Sequence, residues 1–155
     1  MKAIICTEYG PPEVLRFAEV EKPVLQDNQV LIRIHATTAA AAEVMERKGE
    51  SVSGRIILGF RKPRKRFRIL GLELAGEIES VGRAVQRFRQ GDQVYGFTGF
   101  RLGAYAEDTC MPEKGSLALK PANVTYEEAA AVVDGASTAL YFLRDKGRIQ
   151  RGQKY

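Results

Sequence analysis

The sequence predicts a mainly β fold of barrel type, α+β in class because a few short helices accompany the strands, over one domain spanning 1–155. Three observations carry that expectation. Residues 72–81 mix apolar and acidic side chains in near alternation, with Ile78 facing opposite to Glu77 and Glu79, as in a strand with one wet face. Residues 29–36 alternate as well: Val30, Ile32, Ile34 and Ala36 share one face, Leu31, Arg33 and His35 the other. Glycines at 71, 76, 82, 91 and 96 supply positive φ or close backbone approach, which the tight corners of a small barrel need.

Taken in order, residues 2–7 read as a short strand, followed by a turn at Gly10-Pro11-Pro12. A second strand covers 14–20 and stops before Pro23, because proline cannot donate to a ladder. Asp27-Asn28 marks the turn into the strand at 29–36. His35, the single histidine, lies on the Arg33 face and reads as a surface or rim residue. The alanine-rich run from Ala39 to Lys48 is a helix, with Glu43 and Arg47 paired at i,i+4, Gly49 as its stop and an upstream threonine as its cap. From there to Phe60 the chain reads as a mobile loop. Gly91-Asp92 opens a short strand at 93–95. Thr125 and Glu128 have the spacing of a capping box for a helix running to about Val133. Gly135 is expected to break it, with a further helix over 137–145. No internal repeat interrupts this order.

Composition narrows the class. With 45% apolar and 28% charged residues the chain is ordinary globular material, long enough for a proper core. No apolar run reaches the ~18 residues of a membrane span, and the N-terminus is too poor in apolar residues for a signal peptide. Cys6 and Cys110 are far apart in sequence, without metal-ligand spacing, and read as buried reduced thiols of a cytoplasmic protein. The net charge of +5 has one source: Arg61, Lys62, Arg64, Lys65, Arg66 and Arg68 carry six positive charges, so the remainder of the chain is slightly acidic. That run holds one aromatic residue, Phe67, and no nucleic-acid fold surrounds it, so a solvated loop is favoured over nucleic-acid binding.

The motif Gly71-x-Glu73-x-x-Gly76-x-Ile78-x-x-Val81-Gly82, followed by Gly91-Asp92-x-Val94-x-Gly96, resembles the medium-chain dehydrogenase/reductase superfamily, in its N-terminal GroES-like domain. The resemblance extends over the whole chain. Tyr9-Gly10-Pro11-Pro12-Glu13-Val14-Leu15 matches the opening turn, and Gly103-Ala104-Tyr105-Ala106-Glu107 the strand after the Gly-Asp turn. Residues 121–143 match the helical lead-in to the cofactor domain, so about 120–155 is expected to lead toward a Rossmann domain that this sequence lacks. It implies a partly open, strongly twisted GroES-like barrel, nearest the zinc-free, quinone-oxidoreductase-like (alcohol dehydrogenase-like) branch.

The same resemblance bears on the site. Where zinc-dependent members carry a cysteine, this chain has Ala40, and in place of the histidine of their Gly-His-Glu motif it has Leu72. Zinc needs three or four N, S or O donors, which these side chains do not supply, so no metal is expected. Zinc-free relatives reduce quinones or enones by hydride transfer from NADPH, the protein supplying position and dryness. Their asparagine near the nicotinamide ribose corresponds to Ala40 and a pocket tyrosine to Met45. No catalytic side chain is therefore expected. Thr138 matches a threonine that approaches the nicotinamide; Ala40, Met45, Leu72, Glu73 and Phe97 would line the substrate pocket. No Gly-x-Gly-x-x-Gly cradle for a pyrophosphate occurs. The expectation is a substrate-side domain of an NADPH-dependent oxidoreductase, a truncated unit that holds no cofactor and is inactive alone. Two alternatives stay open: a free-standing, self-associating barrel that binds a small molecule or protein, and a polyanion binder working through 61–68.

Overall fold

The computed structural model describes residues 1–153. Strands β1 (Lys2–Cys6) and β2 (Leu15–Glu19) form an antiparallel pair. Strands β3 (Gln29–Thr37), β4 (Glu73–Val81), β5 (Gln93–Phe97), β6 (Asp108–Pro112) and β7 (Ser116–Leu119) form a second sheet in the order β6-β3-β4-β5-β7, antiparallel throughout. Two register shifts, at Leu31/Ile32 and Ile34/Ala36, bend β3 against β4, as bulges in curled sheets do. Strand β1 bridges to Ile69 and Ala106, and the Cys6 N–H donates to the Arg68 carbonyl at 2.7 Å. The two sheets thereby make the partly open barrel that the sequence predicts.

The alternation in β3 and β4 places Val30, Ile32, Leu74 and Ile78 in a core completed by Val94, Met111 and Leu117. Glu77 stays exposed, as its side of the pleat requires. Gly76 lies where β4 crosses closest to β3, and a Cβ there would run into the Arg33 carbonyl. A second core joins Cys6, Val14, Leu58, Phe67, Leu70 and Leu102. Both cysteines are free; Cys6 is buried and Cys110 half-buried, and burial raises both thiol pKa values. His35 is exposed and stacks on Tyr126 with ring centroids 4.4 Å apart.

Several local expectations are corrected. The stretch read as a mobile loop contains helix α2 (Val52–Leu58), capped by Ser51, whose hydroxyl accepts from the Gly54 N–H at 3.2 Å. Its β-branched residues look unhelical in sequence, but buried Leu58 anchors it and the Tyr9 hydroxyl donates to the Gly59 carbonyl at 2.6 Å. The strand expected over 103–107 lies at β6 instead. Residues 103–107 are an extended link tied to β1 through a bridge at Ala106 and a bond from the Lys2 N–H to Glu107 Oε2. Strand β7 was not anticipated. Helix α1 (Ala41–Lys48) ends on left-handed Gly49, but no threonine caps it: Ala40 stands at the N-cap, and Thr37 and Thr38 bond to Glu73 instead. Nor do Glu43 and Arg47 form an ion pair among the described residues; Glu43 binds backbone amides and Arg47 the Gly10 carbonyl.

The capping box at Thr125 and Glu128 forms as expected and starts α3 (Tyr126–Ala131), with reciprocal bonds of 3.2 and 2.8 Å. The break comes at Val132 rather than Gly135, which lies inside α4 (Val133–Leu140). The cause is a tertiary bond, described below. A π-helical turn over Tyr141–Lys146 continues α4. Among the described residues no helix is long and apolar enough to cross a membrane.

Candidate functional site

Glu73 is the centre. It opens β4 at 5% exposure, and each of its oxygens accepts a hydrogen bond, two from the end of β3 and one from the start of α4. The Thr37 hydroxyl donates to its backbone carbonyl at 2.7 Å, and the Thr38 hydroxyl to its Oε2. The Asp134 N–H donates to its Oε1 at 2.7 Å. A buried carboxylate survives only with such donors. Because one of them is a backbone amide at the start of α4, the chain leaves α3 at Val132 and re-enters a helix in the direction Glu73 sets.

Glu43 repeats the device one layer away. Its Oε2 accepts from the Ala40 N–H and its Oε1 from the Leu72 N–H, both at 3.1 Å, so α1 is fixed to the strand entrance by a buried carboxylate. The Leu72 carbonyl accepts from the Thr98 N–H at 2.7 Å, and Glu73 pairs with Phe97 across β4 and β5. Glu43, Glu73, Ala40, Leu72 and Phe97 thus form one connected frame.

Met45 and Thr138 stand outside it. Met45 is half-exposed and lines a cavity of about 270 Å³ with Glu46, Gly49, Ile57 and Phe100. Phe97 lines a different cavity, about 560 Å³, between β5, β7 and α4, alongside Tyr95, Val133, Asp134 and Ser137. Thr138 is exposed on α4 and donates to Asp134 Oδ1 at 3.3 Å. The six predicted residues are thus distributed over the frame, two flanking hollows and, for Thr138, the exposed face of α4, rather than gathered round one pocket.

The electrostatics of this face are acidic and dry. Glu46 has an Oε2 buried without a partner, and burial, reinforced by the Glu43 charge, pushes its carboxyl up to about 7. Tyr105 is held to about 12, by burial first and then by the charges of Glu43, Glu46 and Glu73. Glu43, Glu46, Arg47 and Asp134 were not singled out from the sequence as site residues. The one signal is the Glu43–Arg47 spacing, which in sequence reads as an i,i+4 helix pair. Among the described residues no group of three or more His, Cys, Asp or Glu could hold a metal ion.

Every strand pairing within the described sheets is antiparallel, whereas the pyrophosphate cradle of a dinucleotide site sits between a parallel strand and the helix that follows it. Among the described residues no parallel strand leads into a helix in that way.

Comparison with known proteins agrees with the geometry. Residues 26–122 match the alcohol dehydrogenase GroES-like domain. Quinone oxidoreductase of Rattus norvegicus is 33% identical over 154 residues, covering 99% of this chain and 44% of the rat protein. The quinone oxidoreductase structure from Coxiella burnetii superposes with a TM-score of 0.86 at 28% identity, over 98% of this chain and 46% of that one. Escherichia coli quinone oxidoreductase complexed with NADPH gives 0.78 at 26% identity, over 95% and 41%. The chain therefore spans less than half the length of these relatives. It belongs to the medium-chain dehydrogenase/reductase superfamily, as an alcohol dehydrogenase GroES-like domain, and is similar to quinone oxidoreductases.

Proposed function

We propose that this chain is the substrate-side domain of an NADPH-dependent oxidoreductase that reduces quinones or enones without zinc, and that it is inactive without a nucleotide-binding domain. The observation that carries the reading is the frame around Glu73. It holds the start of α4 against β4, on the side where Phe97 and Ser137 face a shared hollow. Beyond that point Leu140, Tyr141, Phe142 and Leu143 are all about half exposed or more, an apolar surface of the kind that marks an interface. A nucleotide-binding domain covering it would bring a nicotinamide toward Thr138. Ala40 and Leu72 offer no metal donors, so substrate polarisation by a metal has no ligands at those positions.

In this reading the chain supplies apolar wall to an acceptor, Phe97 on the α4 side and Met45 in the separate hollow beside α1, and keeps water away. No step of hydride transfer is assigned to its side chains. Two measurements test it. NADPH fluorescence titrated against the chain alone should show no saturable binding at low or moderate salt; saturation at about micromolar cofactor would overturn the inactive-alone claim. The chain fused to the nucleotide-binding domain of a quinone oxidoreductase should oxidise NADPH when a quinone is added. A folded, NADPH-binding fusion that turns over no quinone or enone would overturn the substrate-side assignment.

A further inference from the structure

The basic run at 61–68 plays no part in that reading, yet it is firmly built. The Arg64 N–H donates to the Leu58 carbonyl at 2.7 Å and the Phe67 N–H to the Arg64 carbonyl at 2.8 Å. Pro63 and Phe67 are buried beneath it. What the run lacks is a counter-charge. Among the described residues none of Arg61, Lys62, Arg64, Lys65, Arg66, Arg68 and Arg101 takes part in an ion pair. Arg68 Nε is buried with no acceptor. Like charges fixed on an ordered turn repel one another, and that cost falls when an anion binds.

The two 3₁₀ turns Lys65–Phe67 and Gly99–Arg101 face a common cavity of about 610 Å³. Arg66 and Arg101 line it with Ile57, Phe67, Thr98 and Phe100, and no carboxylate does. The Arg66 guanidinium lies over the Phe67 ring, 4.4 Å from its centroid, which limits its freedom before any ligand arrives. Phe100 is 82% exposed at the rim. Phe100 and Ile57 also line the neighbouring Met45–Glu46 hollow, so an apolar trough leads away from the charged end.

We propose that this cavity binds a small molecule carrying a phosphate group on an apolar body. Two guanidinium forks suit the bidentate geometry of phosphate. The surplus of positive charge suits a dianion better than a single carboxylate. The apolar trough then takes the remainder of the ligand. Nucleic acid fits less well, because the site is a local depression with one exposed ring, Phe100, and not a long groove with repeated stacking platforms. The charged end of the site takes no part in the reductase reading, although its trough opens onto the Met45 hollow that reading uses.

The test is calorimetric titration of the chain with n-octyl phosphate below its aggregation concentration. Inorganic phosphate and a short single-stranded oligonucleotide serve as the other phosphate sources. Octyl phosphate should bind at one site per chain. The double variant Arg66→Ala/Arg101→Ala should weaken it about tenfold or more, with the far-UV circular dichroism spectrum unchanged because both side chains are exposed. Arg61→Ala/Lys62→Ala, which removes equal charge outside the cavity, should weaken it less than about threefold. Phe100→Ser should weaken octyl phosphate and leave inorganic phosphate alone. Equal losses in the two double variants would overturn the proposal in favour of a diffuse patch. So would octyl phosphate binding that Arg66→Ala/Arg101→Ala leaves unchanged, or tighter binding of the oligonucleotide than of octyl phosphate.

Discussion

Replacing Glu73 with alanine tests the frame most directly. The side chain is almost fully buried and accepts from the Thr38 hydroxyl and the Asp134 N–H. Alanine leaves both donors without their acceptor and opens a small void. A hydrogen bond to a charged group contributes about 1.5–3 kcal/mol, and a buried donor left unpaired costs a similar amount. Asp134 sits on an exposed helix and recovers part of that by meeting water. The net expectation is a loss of about 3–4 kcal/mol, or roughly 10 °C in midpoint for a domain of this size. Glu73→Gln keeps one acceptor for Asp134 and offers an amide to the Thr38 oxygen, so it should cost about half as much. Urea unfolding with unchanged m-value measures the total, and amide exchange in 133–140 measures the tie to α4. An alanine variant within about 0.5 kcal/mol of the parent, with exchange at Asp134 unaltered, would refute the claim that Glu73 braces the helix.

Two further outcomes follow from other parts of the site. Burial raises the Glu46 carboxyl from 4.5 to about 7, so the folded chain holds a proton there that the unfolded chain releases. Its contribution to stability is therefore fully present below about pH 4.5, declines through the window from 4.5 to 7, and is absent above it. Glu46→Gln should remove that decline. The difference between parent and variant should grow by about 1–2 kcal/mol across the window, once the shift is discounted for partial exposure. Parallel pH profiles would refute it. Gly76→Ala would press a Cβ against the Arg33 carbonyl between two paired central strands. It should cost about 2–3 kcal/mol, far beyond the usual alanine preference over glycine, and thermal unfolding that shows no loss would count against the close-approach role.

The barrel was legible because its signals are local. Alternation at 29–36 and 72–81 reports directly which side chains face the core, and Thr125 and Glu128 satisfy each other within one helical turn. The misplaced break at Gly135 shows the limit. Glycine weakens a helix by intrinsic preference, but here the Asp134 N–H has a partner sixty-one residues earlier in the chain, and that bond decides where α4 begins. Helix α2 escaped notice for the same reason, since its hold on the fold runs through Leu58 and Tyr9.

The Glu43–Arg47 pair carries the argument to the site itself. In sequence it is an ordinary i,i+4 ion pair on a helix face, worth a few tenths of a kcal/mol. In the fold both residues are buried and turn away from each other, Glu43 to the amides of Ala40 and Leu72, Arg47 to the Gly10 carbonyl. Each charge is satisfied by backbone rather than by its neighbour, which ties α1 to β4 on one side and to the opening turn on the other. A site assembled this way holds its apolar residues in place through carboxylates that never need to meet the ligand. Its chemistry-bearing letters, Glu43 and Glu73, therefore read as scaffold, and the large apolar side chains facing the hollows include Met45, Phe97 and Phe100. Glu46 lines one end of the trough that Ile57 and Phe100 share, and Arg66 and Arg101 line the other. Such a gradient of charge along an apolar cleft would orient an amphipathic ligand with its anionic end toward Arg66 and Arg101 and its apolar end toward Met45.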